Sequence, residues 1–179
     1  MLDSNTAHVF AVVVCGAAAV TDMRTGLIPN WLTFPVIAGA PLVHGWLGGP
    51  GALLRSLLAL LLCGLVPYLM FRRGGMGGGD VKLFAAVGAV AGLGAGLQIE
   101  LVSMLLACVW GLGLLVFRGD LLAVLRRALQ IACGRLLPKR WHASIDTQHL
   151  TEIRLGVPIA LAAVVSVLAE QVVSIGWLP

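Results

Sequence analysis

Residues 83–117 read LFAAVGAVAGLGAGLQIELVSMLLACVWGLGLLVF, with one charge, Glu100, in the whole stretch. A membrane-spanning helix needs about 20 mostly apolar residues, within a range of roughly 17–25. The stretch is too long for one span. Residues 92–100, GLGAGLQIE, interrupt it with glycines and two polar side chains, which suits a turn. It therefore predicts two helices joined by a tight hairpin.

The same cut at charged residues organises the rest of the chain. An uncharged run between Asp3 and Asp22 contains the apolar residues 9–20. It lacks the basic start of a signal peptide and is followed by further spans, so a retained helix is expected. The uncharged run between Arg24 and Arg55 has its apolar part at 33–46, and residues 53–71 form a third span with Pro67 near its end. Residues 155–175 form the last. Glu170 is expected near one interface or against protein, because a charge at the bilayer centre costs about 2.5–3.5 kcal/mol or more. The count is six transmembrane helices, an all-α polytopic membrane bundle forming one membrane-embedded domain over residues 1–179.

Composition agrees. Hydrophobic residues make up 59% and charged residues 11% of the 179, with a mean hydropathy of +0.99. Ordinary soluble domains are roughly 45–50% apolar and about 25% charged. This excludes a soluble globular enzyme, a disordered chain and a nucleic-acid-binding domain. The sequence pI of about 9.2 rests on 12 Lys and Arg against 8 Asp and Glu. In so apolar a chain that excess speaks of membrane orientation rather than of nucleic acid. Aromatic residues are 6%, too few for base-stacking platforms. Cys15, Cys63, Cys108 and Cys133 form no CxxC pair, so they read as apolar packing residues.

Residues 118–154 carry Arg118, Arg126, Arg127, Arg135, Lys139, Arg140 and Arg154. Leu121, Leu122, Leu125, Leu129 and Leu136 recur there at roughly helical spacing. The segment reads either as an amphipathic helix on the cytoplasmic surface or as a basic connection that only sets topology. With six spans, one side collects these residues plus Arg24, Arg72, Arg73 and Lys82, leaving only Arg55 opposite. The excess of Lys and Arg on cytoplasmic loops places that side in the cytoplasm and both termini outside it. His142 and His149 read as solvated surface residues. Trp31, Trp46, Trp110, Trp141 and Trp177 read as packing and interface anchors.

Most carboxylates have plain explanations. Asp3, Glu100 and Glu170 are expected near the outer face. Asp120, Asp146 and Glu152 lie among basic residues. Asp22 and Asp80 remain, each at the cytoplasmic edge of a span. Asp80 follows Gly74-Gly75-Met76-Gly77-Gly78-Gly79. A phosphate-binding loop would continue with Lys and then Ser or Thr, which this run does not. Asp80 reads either as a catalytic acid on a glycine turn or as a helix N-cap. Two carboxyl groups facing one site can share a proton, one acting as base on water and the other as acid. That chemistry needs no metal. The sequence has no His-x-x-x-His pair, no G-x-S-x-G turn and no evident Cys–His pair.

Gly77-Gly78-Gly79-Asp80, continued by Val81-Lys82-Leu83, fits the G-x-G-D pattern of bacterial prepilin peptidases. Asp22-Met23-Arg24-Thr25 with Ile28-Pro29-Asn30-Trp31-Leu32-Thr33 resembles that family's first-aspartate block. The chain thus resembles a type IV prepilin peptidase of the short form associated with Flp/Tad-type pilus systems. The resemblance implies an intramembrane aspartyl endopeptidase in a bacterial cytoplasmic (inner) membrane. It would remove the short basic leader of prepilins or pseudopilins after a glycine at the cytoplasmic face. Asp22 and Asp80 would be the catalytic pair, and Gly77 and Gly79 would shape the turn. Lys82 would orient the loop or meet anionic lipid. Pro158, in Gly156-Val157-Pro158-Ile159-Ala160, would lie in a turn near the site. No cofactor and no metal is implied. The expected partners are prepilins, membrane lipids and pilus assembly machinery. Longer members carry an extra cytoplasmic segment, often with two Cys pairs, and also N-methylate the product. Without that segment the expectation here is peptidase activity alone. The competing classes are a non-catalytic assembly factor and a small transporter. A scaffold would keep working without either aspartate, whereas a protease would lose cleavage.

Overall fold

The computed structural model describes residues 4–118 and 157–165. These residues form helices and the turns between them: α1 (Ser4–Thr25), α2 (Asn30–Arg72), α3 (Gly78–Arg118) and a helical stretch at 157–165. Three helices are long and apolar enough to cross a membrane, at Thr6–Thr25, Asn30–Arg72 and Gly78–Gly113. The basic segment is described only at its first residue, Arg118. It and both chain termini otherwise lie outside the described residues, as do 155, 156 and 166–175 of the last predicted span. Residues 4–106 and 157–165 belong to one compact unit, and α3 from Ala107 onward belongs to a second.

α2 has 43 residues and α3 has 41. As straight helices they would be roughly 60–65 Å long, about twice the ~30 Å hydrocarbon core of a bilayer. Neither is straight. α2 breaks at Gly49 (φ 74°, ψ −175°) and α3 at Gly92 (φ 82°, ψ 174°). Only glycine adopts that conformation at no steric cost. Both breaks are reversals. A Cβ on Gly45 would sit 2.9 Å from Leu53 Cδ1, and a Cβ on Gly96 would sit 2.9 Å from Gly88 Cα. Residues eight apart in a continuous helix are about 12 Å apart along the axis, so each helix is a hairpin. Pro50 starts the second limb of α2, where its missing N–H costs nothing.

The first limb of α3, residues 78–91, forms the centre of its unit. Every residue from 83 to 90 is buried, as befits a helix that is apolar all round. Around it pack Ala7, Ala11, Val14, Cys15 and Ala18 of α1, Val36 and Ala40 of α2, and Ile159, Ala162 and Ala163 of the 157–165 stretch. Small residues let the backbones approach. A Cβ on Gly88 would lie 2.7 Å from both the Ala59 carbonyl oxygen and Cys63 Cβ.

Breaking α3 at Gly92 orphans the last carbonyls of its first limb. Two of them find side chains on α2. Ser56 Oγ donates to the Ala89 carbonyl at 2.7 Å, and His44 Nε2 lies 3.1 Å from the Val90 carbonyl. His44, near the Gly49 reversal, thereby meets Val90, near the Gly92 reversal. The two reversals share one end of the bundle. The α1–α2 and α2–α3 turns share the other.

One expectation needs correcting. The turn predicted across 92–100 is confined to Gly92, and residues 93–100 are helical. Glu100 is therefore carried about 12 Å back from the reversal. It is 5% exposed rather than surface-lying, close enough to Cys63 to act on it electrostatically.

Candidate active site

Asp22 is placed by the inner face of α1. Ala7, Ala11, Val14, Cys15 and Ala18 follow a helical stripe, and Asp22 lies one turn past Ala18. It is accordingly 6% exposed. The helix ends just beyond it. Gly26, with φ 70°, donates its N–H to the Asp22 carbonyl at 2.8 Å, the single-bond left-handed helix cap. Thr21 Oγ1 donates to the Ala18 carbonyl at 2.8 Å, and Thr25 Oγ1 to the Thr21 carbonyl at 2.8 Å. The last turn of α1 is thus fastened from both its main chain and its side chains.

Asp80 is placed by a second pair of helix ends. α2 closes with Gly75 N–H donating to the Met70 carbonyl and Gly74 N–H to the Phe71 carbonyl, both at 2.9 Å. With Gly74 at φ 73°, this is a Schellman cap. α3 then begins at Gly78, which puts Asp80 at its third residue. The Asp80 carboxylate accepts a hydrogen bond from the backbone N–H of Gly77. This is the reach-back half of a capping box. A Cβ on Gly77 would lie 3.0 Å from Asp80 Oδ2, and a Cβ on Gly79 would lie 3.0 Å from Ile28 Cβ. Both glycines named by the motif therefore stand where a side chain would press on the site.

The two aspartates lie at the same end of the bundle. Asp22 is near enough for its charge to act on Asp80, although 57 residues separate them in sequence. Lys82, two residues on from Asp80, is half-buried. Its Nζ donates to Asn30 Oδ1 at 2.8 Å and lies 5.1 Å from the centroid of the Phe34 ring. Arg24, Arg72 and Arg73 lie at the same end, on the last turns of α1 and α2 and the residue after. Leu27 and Trp31, in the turn after α1 and at the start of α2, are more than two-thirds exposed. Pro158 is buried in the first turn of the 157–165 stretch, and its place near the aspartates rests on the resemblance alone. Among the described residues no three His, Cys, Asp or Glu side chains gather as a metal site would require.

A paired acid at one rim of a membrane bundle, flanked by cations and apolar side chains, can handle protons at a polypeptide that enters from that rim. Sequence reasoning named Ile28 and Asn30 only as members of the first-aspartate block and gave neither a contact. Their contacts join segments some fifty residues apart, a separation no local pattern encodes.

The model of the type IV leader peptidase family matches residues 9–116 of the chain. This match contains most of α1, all of α2, most of α3 and both aspartates. Among curated proteins, the chain is similar to the prepilin peptidase EppA of Methanothermobacter thermautotrophicus, 40% identical over 85 residues. That alignment takes in 43% of the chain and 21% of EppA, so the chain spans about a fifth of the length of the relative it matches. No solved structure matches the chain.

Proposed function

The chain belongs to the type IV leader peptidase family, and from that premise we propose that it is an intramembrane aspartyl endopeptidase with Asp22 and Asp80 as its catalytic pair. The observation that carries this reading is that Asp22 and Asp80 share one end of the bundle, near enough for the charge of one to act on the other. Its substrates are prepilins or pseudopilins of the Flp/Tad type, whose short basic leader it removes.

Hydrolysis proceeds without a covalent intermediate. One carboxylate takes a proton from water as the water oxygen attacks the scissile carbonyl carbon. The other carboxyl group protonates the carbonyl oxygen. The tetrahedral diol then collapses. Its C–N bond breaks, the leaving nitrogen takes a proton from one acid, and the other aspartate recovers the hydroxyl proton. Two like charges in one site share a proton readily, which keeps one base and one acid available together. The reaction draws on no metal or cofactor.

The two hairpins and α1 supply five crossings of the cytoplasmic (inner) membrane. The 157–165 stretch belongs to a sixth, so both termini lie outside the cytoplasm. The whole chain acts as one peptidase domain. Lys and Arg at the aspartate end orient that end inward and suit it to anionic lipid. Its macromolecular partners are the prepilin and the pilus assembly machinery that receives it.

Co-expression with candidate prepilins in membranes tests the reading. Wild type removes the leader, and Asp22→Ala and Asp80→Ala at matched expression both abolish removal. Cleavage surviving in both variants would overturn the aspartyl mechanism and favour an assembly factor.

A further inference from the structure

Lys82 and Asn30 stand out because their bond joins the two aspartate-bearing blocks. Asn30 is the first residue of α2, which follows the short turn from Asp22. Lys82 is in the first turns of α3, two residues after Asp80. Residues two apart on a helix point roughly 200° away from one another. Lys82 therefore leaves the helix on the side away from Asp80. Its ammonium is occupied by Asn30 Oδ1 at 2.8 Å and by the Phe34 ring at 5.1 Å. Asn30 and Phe34 are four residues apart, on one face of α2. The lysine is seated on that face by a charge-assisted hydrogen bond and a cation–π contact.

A second contact acts beside it. Ile28 packs so closely on Gly79 that a Cβ there would lie 3.0 Å from Ile28 Cβ and 3.5 Å from the Ile28 backbone nitrogen. Steric contact at Ile28–Gly79 stops the blocks from approaching further. It does not stop them from parting. The Lys82–Asn30 bond supplies the opposing restraint.

We infer that Asn30 and Lys82 form a clasp that holds the Asp22 block against the start of α3 and so sets the spacing of the two catalytic carboxyl groups. Both are positioning residues, and neither touches the scissile peptide. The inference rests on the peptidase reading for its effect on rate, but the spacing it concerns can be measured without cleavage.

The first arm measures kcat and KM on the full chain in nanodiscs, with a peptide carrying a basic leader, a glycine and an apolar segment. A misplacement of about 1 Å can cost on the order of a hundredfold in rate. Lys82→Met and Asn30→Ala should each lower kcat by about tenfold or more and leave KM within about twofold. The double variant should be no slower than the slower single, because both remove one bond. Asn30→Asp keeps an oxygen acceptor at the same reach and should recover most of kcat. Losses that multiply in the double variant, or a rise in KM with kcat intact, overturn the clasp.

The second arm replaces the native cysteines with Ala, introduces Asp22→Cys with Asp80→Cys, and adds a short bifunctional thiol reagent to membranes. Lys82→Met and Asn30→Ala should slow cross-linking several-fold, whereas Asn30→Asp should not. Equal cross-linking in all backgrounds overturns the inference. This arm still decides if wild type cleaves no prepilin, an outcome that would count against the peptidase reading alone.

Discussion

Gly77 and Gly79 are both small, for different reasons. Gly77 gives its N–H and the space above its Cα to the Asp80 carboxylate, so an added methyl would stand 3.0 Å from Oδ2. Gly79 gives space to Ile28, so an added methyl would wedge the two aspartate blocks apart. A Cβ on Gly78 would meet the Phe71 ring, with Cε2 nearest at 3.3 Å, the edge of a ring that can turn. Gly77→Ala and Gly79→Ala should therefore slow leader removal by about tenfold or more, while Gly78→Ala cleaves at near the wild-type rate. Initial rates at matched expression check this, and equal rates for all three would remove the steric argument. The two outer glycines were legible as a motif. Their separate tasks were not, because Ile28 reaches Gly79 only after α1, α2 and α3 have packed.

At the scale of elements, the bundle depends on two helices that fold back on themselves, and the tightest contact is at the second. Gly88→Ala would drive a methyl to within 2.7 Å of the Ala59 carbonyl oxygen and of Cys63 Cβ. Overpacking of this kind costs about 1–3 kcal/mol. Gly39→Ala meets nothing within 4 Å and should stabilise its helix by up to about 0.5–1 kcal/mol. Ser56→Ala strips the Ala89 carbonyl of its donor, and hydrogen bonds between membrane helices are worth about 0.6 kcal/mol on average and up to about 1.7. Unfolding of purified protein in detergent should rank Gly88→Ala least stable, then Ser56→Ala, with Gly39→Ala at or above wild type. Sequence located the α3 hairpin because apolar residues ran on too long for one span. It spread the turn over nine residues because Gly94, Gly96, Gln98 and Glu100 all look like turn residues. The backbone is non-helical at Gly92 alone, so these positions are helical. Glu100 was misplaced for the same reason. Ser56 and His44 had no visible task, since the carbonyls they serve are orphaned by a break whose position was not yet known.

For the molecule as a whole, the positive charge and the two aspartates gather at one end. Arg24, Arg72, Arg73 and Lys82 flank Asp22 and Asp80, while Arg55 lies a few residues past the Gly49 reversal at the other end. The sequence carried this polarity openly, because cations cannot hide in an apolar chain. It could not show that Asp22 and Asp80 lie within electrostatic reach of each other, since returning to one face does not bring two helices side by side. The polarity makes a prediction independent of any substrate. Gly51 and Gly75 are exposed, lie near the two opposite ends, and have no Cβ neighbour closer than 3.5 Å. A cysteine at either position, in a background without native cysteines, changes no charge and so leaves the orienting signal intact. A membrane-impermeant thiol reagent added to intact cells should label Gly51→Cys at once. Gly75→Cys should label only after the membrane is permeabilised. The reverse pattern would put both aspartates on the outer face, where a basic leader held in the cytoplasm could not reach them. A peptidase acting on such leaders requires the first pattern, because the aspartates share the end that carries Gly75.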